Sequence, residues 1–361
     1  MAIPLELVVN PLSFGQVSTS LLRELYNRKQ ECLLHVTQNQ FDLSSQEKDE
    51  DFEDWLRFSR TNFLQKHDRN NRIFKLWHLN GGMESQSKEQ VLLSFYELDE
   101  PTTEEVNIVK NNHKVLFTSE ETVKTFRDAG CENVYYIPLG FDHQNFKEIN
   151  KNYYQDDRIV FTVTGKFEKR KNHEKIVKAW LKRFGNDENY ALHCACWNPF
   201  LSKEQNNAVM ASLMGGQKYF NVVLTAFMQT NKQYNDFLNS SHIILGMSGG
   251  EGWGLPEFQS VAMGKHSVIL DCSGYKGWAT AENSVLVKPS DKIPVYDDVF
   301  FQKGAPFNQG NIYDFHEEAF IAGCEEAIER VKSNKVNEEG RKLKEKFTYP
   351  KMLDNILEHL K

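Results

Sequence analysis

Two stretches of the chain gather residues able to handle a charged, hydroxyl-rich ligand. The first is GEGWGLPEFQSVAMGKHSVIL, residues 250–270. Glu251 stands in a turn among Gly249, Gly250, Gly252 and Gly254, and Gln259 follows eight positions after it. The glycines let backbone approach a ligand closely. Pro256 suits the first position of a helix, and Gly264 suits a left-handed cap at its end. The free N–H groups at such a helix start favour an anion. A loop glutamate and a first-turn glutamine are both rich in acceptors and can grip two sets of hydroxyls. The structural alternative is that Glu251 caps the helix and Gln259 is a surface residue; four glycines around one glutamate weigh against it.

The second stretch is TVTGKFEKRKNHEK, residues 162–175. A predicted strand ends at Gly165. Lys166, Lys169, Arg170 and Lys171 follow, and then a helix begins. Strand, glycine, cations, helix is a way to neutralise a diphosphate. A solvated basic turn would give the same pattern, so the signal gains force only beside the first stretch.

The elements that must position these groups alternate along the chain. Strands are predicted at 5–10, 32–37, 73–79, 91–98, 114–119 and 133–140, with helices over 16–28 and from about Glu120. The acidic segment SSQEKDEDFEDW (44–55) reads as a solvated helix face or loop. A polar bridge, KEINKNYYQDD (147–157), separates this half from a second. There, strands are predicted at 158–165, 190–197, 219–227, 241–248, 266–274 and 284–290, with a helix over 173–184 and a helical tail. Such alternation implies α/β architecture with parallel sheets covered on both faces. The expected domains are 1–150, 151–335 and a C-terminal helix in 336–361 crossing back to the first. The halves share architecture and no sequence repeat. Ligands of doubly wound sheets bind at the carboxyl ends of the strands.

With 361 residues, 40% hydrophobic and 12% aromatic, the chain can build two cores. Its net charge of −7 argues against bulk attraction to nucleic acid. The six cysteines form no CxxC pair. HCAC (193–196) fits no zinc spacing and reads as a buried strand. No apolar run approaches the roughly 20 residues of a membrane span. The N-terminus lacks a basic n-region, so a cytoplasmic protein with free thiols is expected.

Together the two stretches resemble the retaining glycosyltransferases of family four, whose GT-B fold sets two Rossmann-like doubly wound domains across a cleft. EGWGLPEFQSVAMGKHSVI is similar to that family's glutamate in a Gly-aromatic-Gly-Leu-Pro turn, followed eight positions later by a second glutamate. Gly165, Lys166 and Lys171 answer its Gly-Arg-(x)4-Lys motif. FTSEETVKTFRDAG…VYYIPLGFD (117–142) and FYELDEPTTEEVN (95–107) extend the resemblance to nearly the whole chain.

By that resemblance Lys166 and Lys171 hold the donor diphosphate and stabilise the leaving charge. Glu251 binds hydroxyls of the transferred sugar. The turn of Gly252, Trp253, Gly254 and Leu255 lies against sugar and phosphates, and Gly15 brings backbone of the first domain to them. His78 matches a histidine beside the sugar, although a lone strand-end histidine also serves structure. Glu97 and Asp99 are acceptor-side candidates. Three positions depart from the pattern. Gln259 replaces the ribose-binding glutamate, keeping an acceptor but losing charge. Lys166 replaces arginine and loses its planar fork. Asn172 stands in place of glycine.

The implied reaction is metal-independent sugar transfer from a nucleotide-diphosphate sugar to a hydroxyl, with front-face displacement. No cofactor and no metal site are expected, and no Asp-x-Asp motif ends a strand as the GT-A fold would require. The acceptor stays open: a glycan, protein or small molecule is preferred, with a nucleic-acid base, as in viral DNA hypermodification, an alternative. An inactive nucleotide-sugar-binding homologue and a sugar-nucleotide epimerase are further alternatives. A nicotinamide dehydrogenase is disfavoured by the absence of GxGxxG after a strand.

Overall fold

The computed structural model describes residues 2–149 and 157–361. The expected boundary between 150 and 151 therefore lies outside the described residues. The first sheet contains β1 (Ile3–Val9), β2 (Cys32–Phe41), β3 (Ile73–Leu76), β4 (Gln90–Ser94), β5 (Lys114–Phe117) and β6 (Val134–Tyr136). All pair in parallel, in the order β2-β1-β3-β4-β5-β6. Its helices are α1 (Ser13–Asn27), α2 (Glu50–Lys66), α3 (Thr103–Asn111) and α4 (Glu120–Asp128).

The second sheet contains β7 (Ile159–Thr164), β8 (Tyr190–Ala195), β9 (Val222–Leu224), β10 (Ile243–Gly246), β11 (His266–Leu270) and β12 (Val285–Val287). It too is parallel, in the order β9-β8-β7-β10-β11-β12. The connecting helices are α5 (His173–Phe184), α6 (Lys203–Leu213), α7 (Asn231–Asn239) and α8 (Leu255–Ala262). Strand order reverses between β1 and β3 in one sheet and between β7 and β10 in the other. Such switch points open a crevice beyond the strand ends. These are two Rossmann-like domains.

Both sheets are made of apolar runs because both faces are covered. β3, β4, β7, β10 and β11 are buried at every residue. The exception in the first core is a charge pair: Lys75 on β3 meets its register partner Glu6 on β1 at 2.9 Å. Lys75 also donates to the Gly81 carbonyl at 2.9 Å, which fixes the short turn that follows His78. The histidine thus lies beyond β3, not within a strand reaching residue 79.

A segment the sequence reading missed follows β12. β13 (Lys292–Pro294) and β14 (Asn311–Tyr313) pair as an antiparallel hairpin before α9 (Glu317–Ser333). This hairpin reaches across to the first domain. Val295, Phe301 and Ile312 join a core cluster with Leu92, Val115 and Phe117. Asp99 accepts from the Asn311 N–H at 2.7 Å and from Lys292 at 2.8 Å, while Glu105 accepts from the Asn308 N–H at 2.9 Å.

The chain ends in α10 (Glu338–Arg341), α11 (Leu343–Lys346) and α12 (Tyr349–Leu360). α12 lies against the first domain, where Arg72 and Lys114 donate to its last carbonyls at 3.0 and 2.9 Å. α3, α6 and α7 were not predicted. The strand expected over 219–227 shrinks to three residues because it forms a sheet edge, with Val223 and Leu224 exposed.

Ile312 is fully buried in a cluster of the other domain. Ile312→Ala is expected to lower unfolding stability by about 2–4 kcal/mol, read by urea denaturation.

Candidate functional site

The two stretches singled out in the sequence meet beneath the second switch point. β7 ends at Thr164, and Gly165 turns the chain at φ 125°. A single 3-10 turn, Lys169–Lys171, leads to Asn172 at φ 54°, which caps α5. That left-handed conformation suits glycine or asparagine, and the Asn172 amide secures it by donating to the Met247 carbonyl at 2.9 Å. From the neighbouring strand, β10, the glycine-rich turn runs into α8. Gly254 caps that helix at φ 78°, with Pro256 second after Leu255. Gly264 ends it at φ 83°, left-handed as expected.

Arg170 holds these two turns together. Its carbonyl accepts from the Gly249 N–H at 2.8 Å and the Ser248 hydroxyl at 3.0 Å. Its guanidinium donates to the Gly250 carbonyl at 2.8 Å and to Glu251 at 3.1 Å. It also pairs with Glu168 at 2.9 Å and, across the domains, with Glu97 at 3.0 Å. Lys171 pairs with the same Glu251 oxygen, and Lys166 pairs with Glu168. In the sequence Arg170 is one of four neighbouring cations. No local signal marks it as the hub, because its partners come from three separate segments.

The electrostatics follow from this enclosure. Burial pushes the Glu251 carboxyl up, but Lys171 and then Arg170 outweigh it and hold the group below its ordinary value. Burial pulls the Lys171 ammonium down, and Glu251 more than offsets this. Glu97 is raised to about 7, chiefly by burial, with Arg170 opposing. A quarter of its side chain still meets solvent. Glu257, a second buried carboxyl in the first turn of α8, is likewise raised to about 7 by burial, with Lys171 opposing and Glu251 adding.

The glycines matter through the contacts they permit. A Cβ on Gly252 would stand 2.9 Å from that of Phe95, and one on Gly250 would strike the Glu97 carbonyl. The turn is thus pressed against the first domain, where Thr118 donates to the Gly252 carbonyl at 2.6 Å. Trp253 turns its ring away into the core, 5.3 Å from Phe258 and 5.4 Å from Phe347 between centroids. Gly15 lies within the first turn of α1, where a Cβ would stand 2.5 Å from the Asn10 nitrogen.

Gln259 is buried, and its Oε1 has no hydrogen-bond partner among the described residues. Buried acceptors are nearly always satisfied, so such a group marks a place for a donor. The helix starts tell the same story. Side chains cap α2, α3, α4, α6, α7 and α12. No side chain caps α9 or α11, nor α1, α5 and α8, the helices after β1, β7 and β10 at the two switch points. Their N–H groups suit an anion.

His78 is solvent-accessible at the end of the first sheet, its ring 4.2 Å from that of Phe14. Partial desolvation by the neighbouring rings, and then Lys166 of the second domain, hold it below its ordinary value. His78, Lys166, Lys171, Glu251 and Glu97 are therefore brought into one electrostatic neighbourhood. Asp99 is engaged by the β13–β14 hairpin as described above. Among the described residues, no group of three or more His, Cys, Asp or Glu is placed to hold a metal.

No protein-family model and no curated protein matches the chain. Solved structures do match. A sucrose-phosphate synthase from Thermosynechococcus elongatus aligns over 99% of this chain and 98% of its own, with a TM-score of 0.69 at 13% identity. Anabaena HepE, solved in complex with UDP-glucose, aligns over 100% and 99%, with a TM-score of 0.66 at 13% identity. WaaG, a glycosyltransferase involved in lipopolysaccharide biosynthesis, aligns over 99% of both chains, with a TM-score of 0.63 at 9% identity. At these identities the likeness establishes the fold: the chain has the GT-B architecture, two Rossmann-like domains facing each other.

Arg170→Ala would leave Glu97, Glu168 and Glu251 without their shared cation. Loss of one partner from a buried ion network costs about 3–5 kcal/mol, which urea denaturation will read. Glu257 gives a pH test. Its folded value lies above the ordinary 4.5, so its stabilising share is complete below 4.5 and is lost as pH rises through about 7. Wild-type stability should therefore fall relative to Glu257→Gln across that window, in unfolding curves recorded at several pH values.

Proposed function

We propose that this chain is a retaining, metal-independent glycosyltransferase. It would move a sugar from a nucleotide-diphosphate sugar to an acceptor hydroxyl. The observation that carries this is the meeting of buried Arg170 and Lys171 with Glu251 between the uncapped starts of α5 and α8. The GT-B likeness supports it, since a neighbour of that fold was solved with UDP-glucose.

In this proposal Lys171 and Lys166 take the diphosphate, and the start of α8 adds its N–H groups. The Gly252–Leu255 turn and Gly15 supply backbone, and Gln259 Oε1 accepts from a ribose hydroxyl. Glu251 releases Lys171 to the phosphate and turns to the sugar hydroxyls, with His78 opposite. The bond from the anomeric carbon to the diphosphate oxygen breaks as the acceptor oxygen bonds to the same face. The departing phosphate oxygen takes the acceptor proton. Preorganised charge carries the rate, and no metal or other cofactor is required. Glu97 stays on the acceptor side of the cluster.

The first domain (1–150) then serves the acceptor, the second (151–335) the donor, and 336–361 ties them together. No helix among the described residues is long and apolar enough to cross a membrane, and all six cysteines are free and buried. Free thiols suit a reducing compartment, so we place the chain in the cytoplasm. Gln259 favours a second possibility, a homologue that binds nucleotide sugar without turnover.

A thermal-shift screen against uridine, guanosine, adenosine, thymidine and cytidine diphosphates and their sugars tests the proposal. Binding at a hundred times the dissociation constant adds about 2.7 kcal/mol. One nucleotide series should stabilise the wild type and leave Lys171→Ala unchanged. If no series stabilises the wild type, the transferase assignment fails.

A further inference from the structure

β9 is the outer strand of the second sheet. The Thr225 N–H donates to the Cys194 carbonyl at 2.8 Å, and the Asn221 carbonyl accepts from the Leu192 N–H at 2.9 Å. Residues 221 and 225 thus bond to β8, and by alternation Val222 and Leu224 turn their backbone N–H and C=O groups outward. Along this edge Phe220, Val223, Leu224 and Phe227 are 64, 48, 41 and 44% exposed. Together they present roughly 350 Å2 of apolar surface, the size of patch that often marks an interaction site.

Charge is missing from the same place. Residues 205–231, from within α6 through β9 to the start of α7, contain one charged residue, Lys218. The chain is 26% charged, so about seven would be ordinary there. Ala208, Ala211, Ser212 and Ala226 in this stretch are exposed, so burial does not account for the missing charge. The centres of protein interfaces are depleted of charge in this way. Bare sheet edges are usually guarded by lysine, proline, a bulge or a very short strand. β2, an outer strand of the first sheet, is interrupted by a bulge, with Gln38 and Asn39 at φ 51° and 54°. β9 has only its shortness, and residues 205–231 contain no proline.

The edge is complementary to its own image. Antiparallel pairing about a two-fold axis at Val223 sets Val222 against Leu224 of a second copy, and the two exchange both backbone bonds. Val223 then faces Val223 of the second copy, Tyr219 faces Phe227, and Phe220 faces Ala226. Lys218 falls opposite Met228, so no like charges oppose. The apolar side chains of both copies would bury roughly 700 Å2, over half of the roughly 1,200 Å2 at which specific interfaces begin, before backbone and neighbouring residues add theirs. We propose that β9 joins two copies of this chain into a dimer, its two six-stranded sheets continuous across the two-fold axis. This goes beyond the transferase assignment and does not rest on it.

Sedimentation equilibrium on the full chain tests the contact, and engineered thiols test its register. Wild type should dimerise with a dissociation constant of about 10 µM, and Leu224→Lys should weaken it at least about tenfold. All six native cysteines are buried, so an added surface thiol reacts alone. With diamide as oxidant, Val223→Cys should form a disulfide-linked dimer. Facing residues at such a position lie about 4.5 Å apart between Cα atoms, within the reach of a disulfide. Phe220→Cys should not, because six residues of strand, about 20 Å, separate it from its own image. Circular dichroism reports whether each variant folds, and the cysteine pair decides the matter if the lysine variant does not. Wild type that stays monomeric at about 100 µM overturns the proposal. So does a dimer that a folded Leu224→Lys leaves unchanged, equal cross-linking of both cysteine variants, or assembly that grows beyond two copies.

Discussion

A buried guanidinium must have its carboxylates, and Arg170 finds them in three places. Glu168 is its own neighbour in the loop, Glu251 comes from the β10–α8 turn, and Glu97 comes from the other domain. None of these groups is stable inside the protein alone, because the cost of taking a charge from water is recovered only by close and complete pairing. The pairing therefore fixes more than an ion pair. It sets the β7–α5 loop against the glycine-rich turn and sets both against the end of β4. Lys171 stands next to this network and shares Glu251 with it.

The rest of the interface agrees with that constraint. Gly250 and Gly252 approach the first domain more closely than any side chain would permit. The hairpin after β12 adds Asp99, Glu105 and a patch of core from the same side. α12 closes the far side against α1, through Arg28 and Asp354 among others. The charged groups of the candidate site are thus presented by a joint surface, with charge at its centre and apolar packing at its margins. A diphosphate entering it would meet cations already neutralised by carboxylates, so binding is an exchange of partners for Lys171, not the filling of an empty charge.

The sheets and the two glycine-bearing turns of the candidate site were legible in the sequence for a plain reason. Parallel strands buried on both faces are long apolar runs, and the turns after β7 and β10 carry glycines and cations at fixed offsets. Asn172 in the place of glycine is accounted for by its left-handed backbone. Other parts left no local trace. β13 and β14 are three residues each, too short to alternate visibly. α6 buries only Asn206, Met210 and Leu213, so KEQNNAVMASL shows little periodicity. The role of Arg170 depends on contacts 73, 81 and two residues away in sequence, which only the fold brings together. Asp99 read as a strand-end carboxylate free for an acceptor, and the hairpin that engages it was the very element missed. Glu257 carries no reading in the sequence, yet it is buried beside Gly246 and Tyr275.

The central claim is that Lys171 exchanges Glu251 for the phosphates of a nucleotide. Phosphorus NMR reads that exchange directly. Titrating protein into the nucleoside diphosphate of the best-bound series should shift and broaden the β-phosphorus resonance, which carries the greater terminal charge. The same titration with Lys171→Ala should leave it at its free position. A β-phosphorus signal that ignores the wild-type protein, or that responds equally to the variant, would contradict the account.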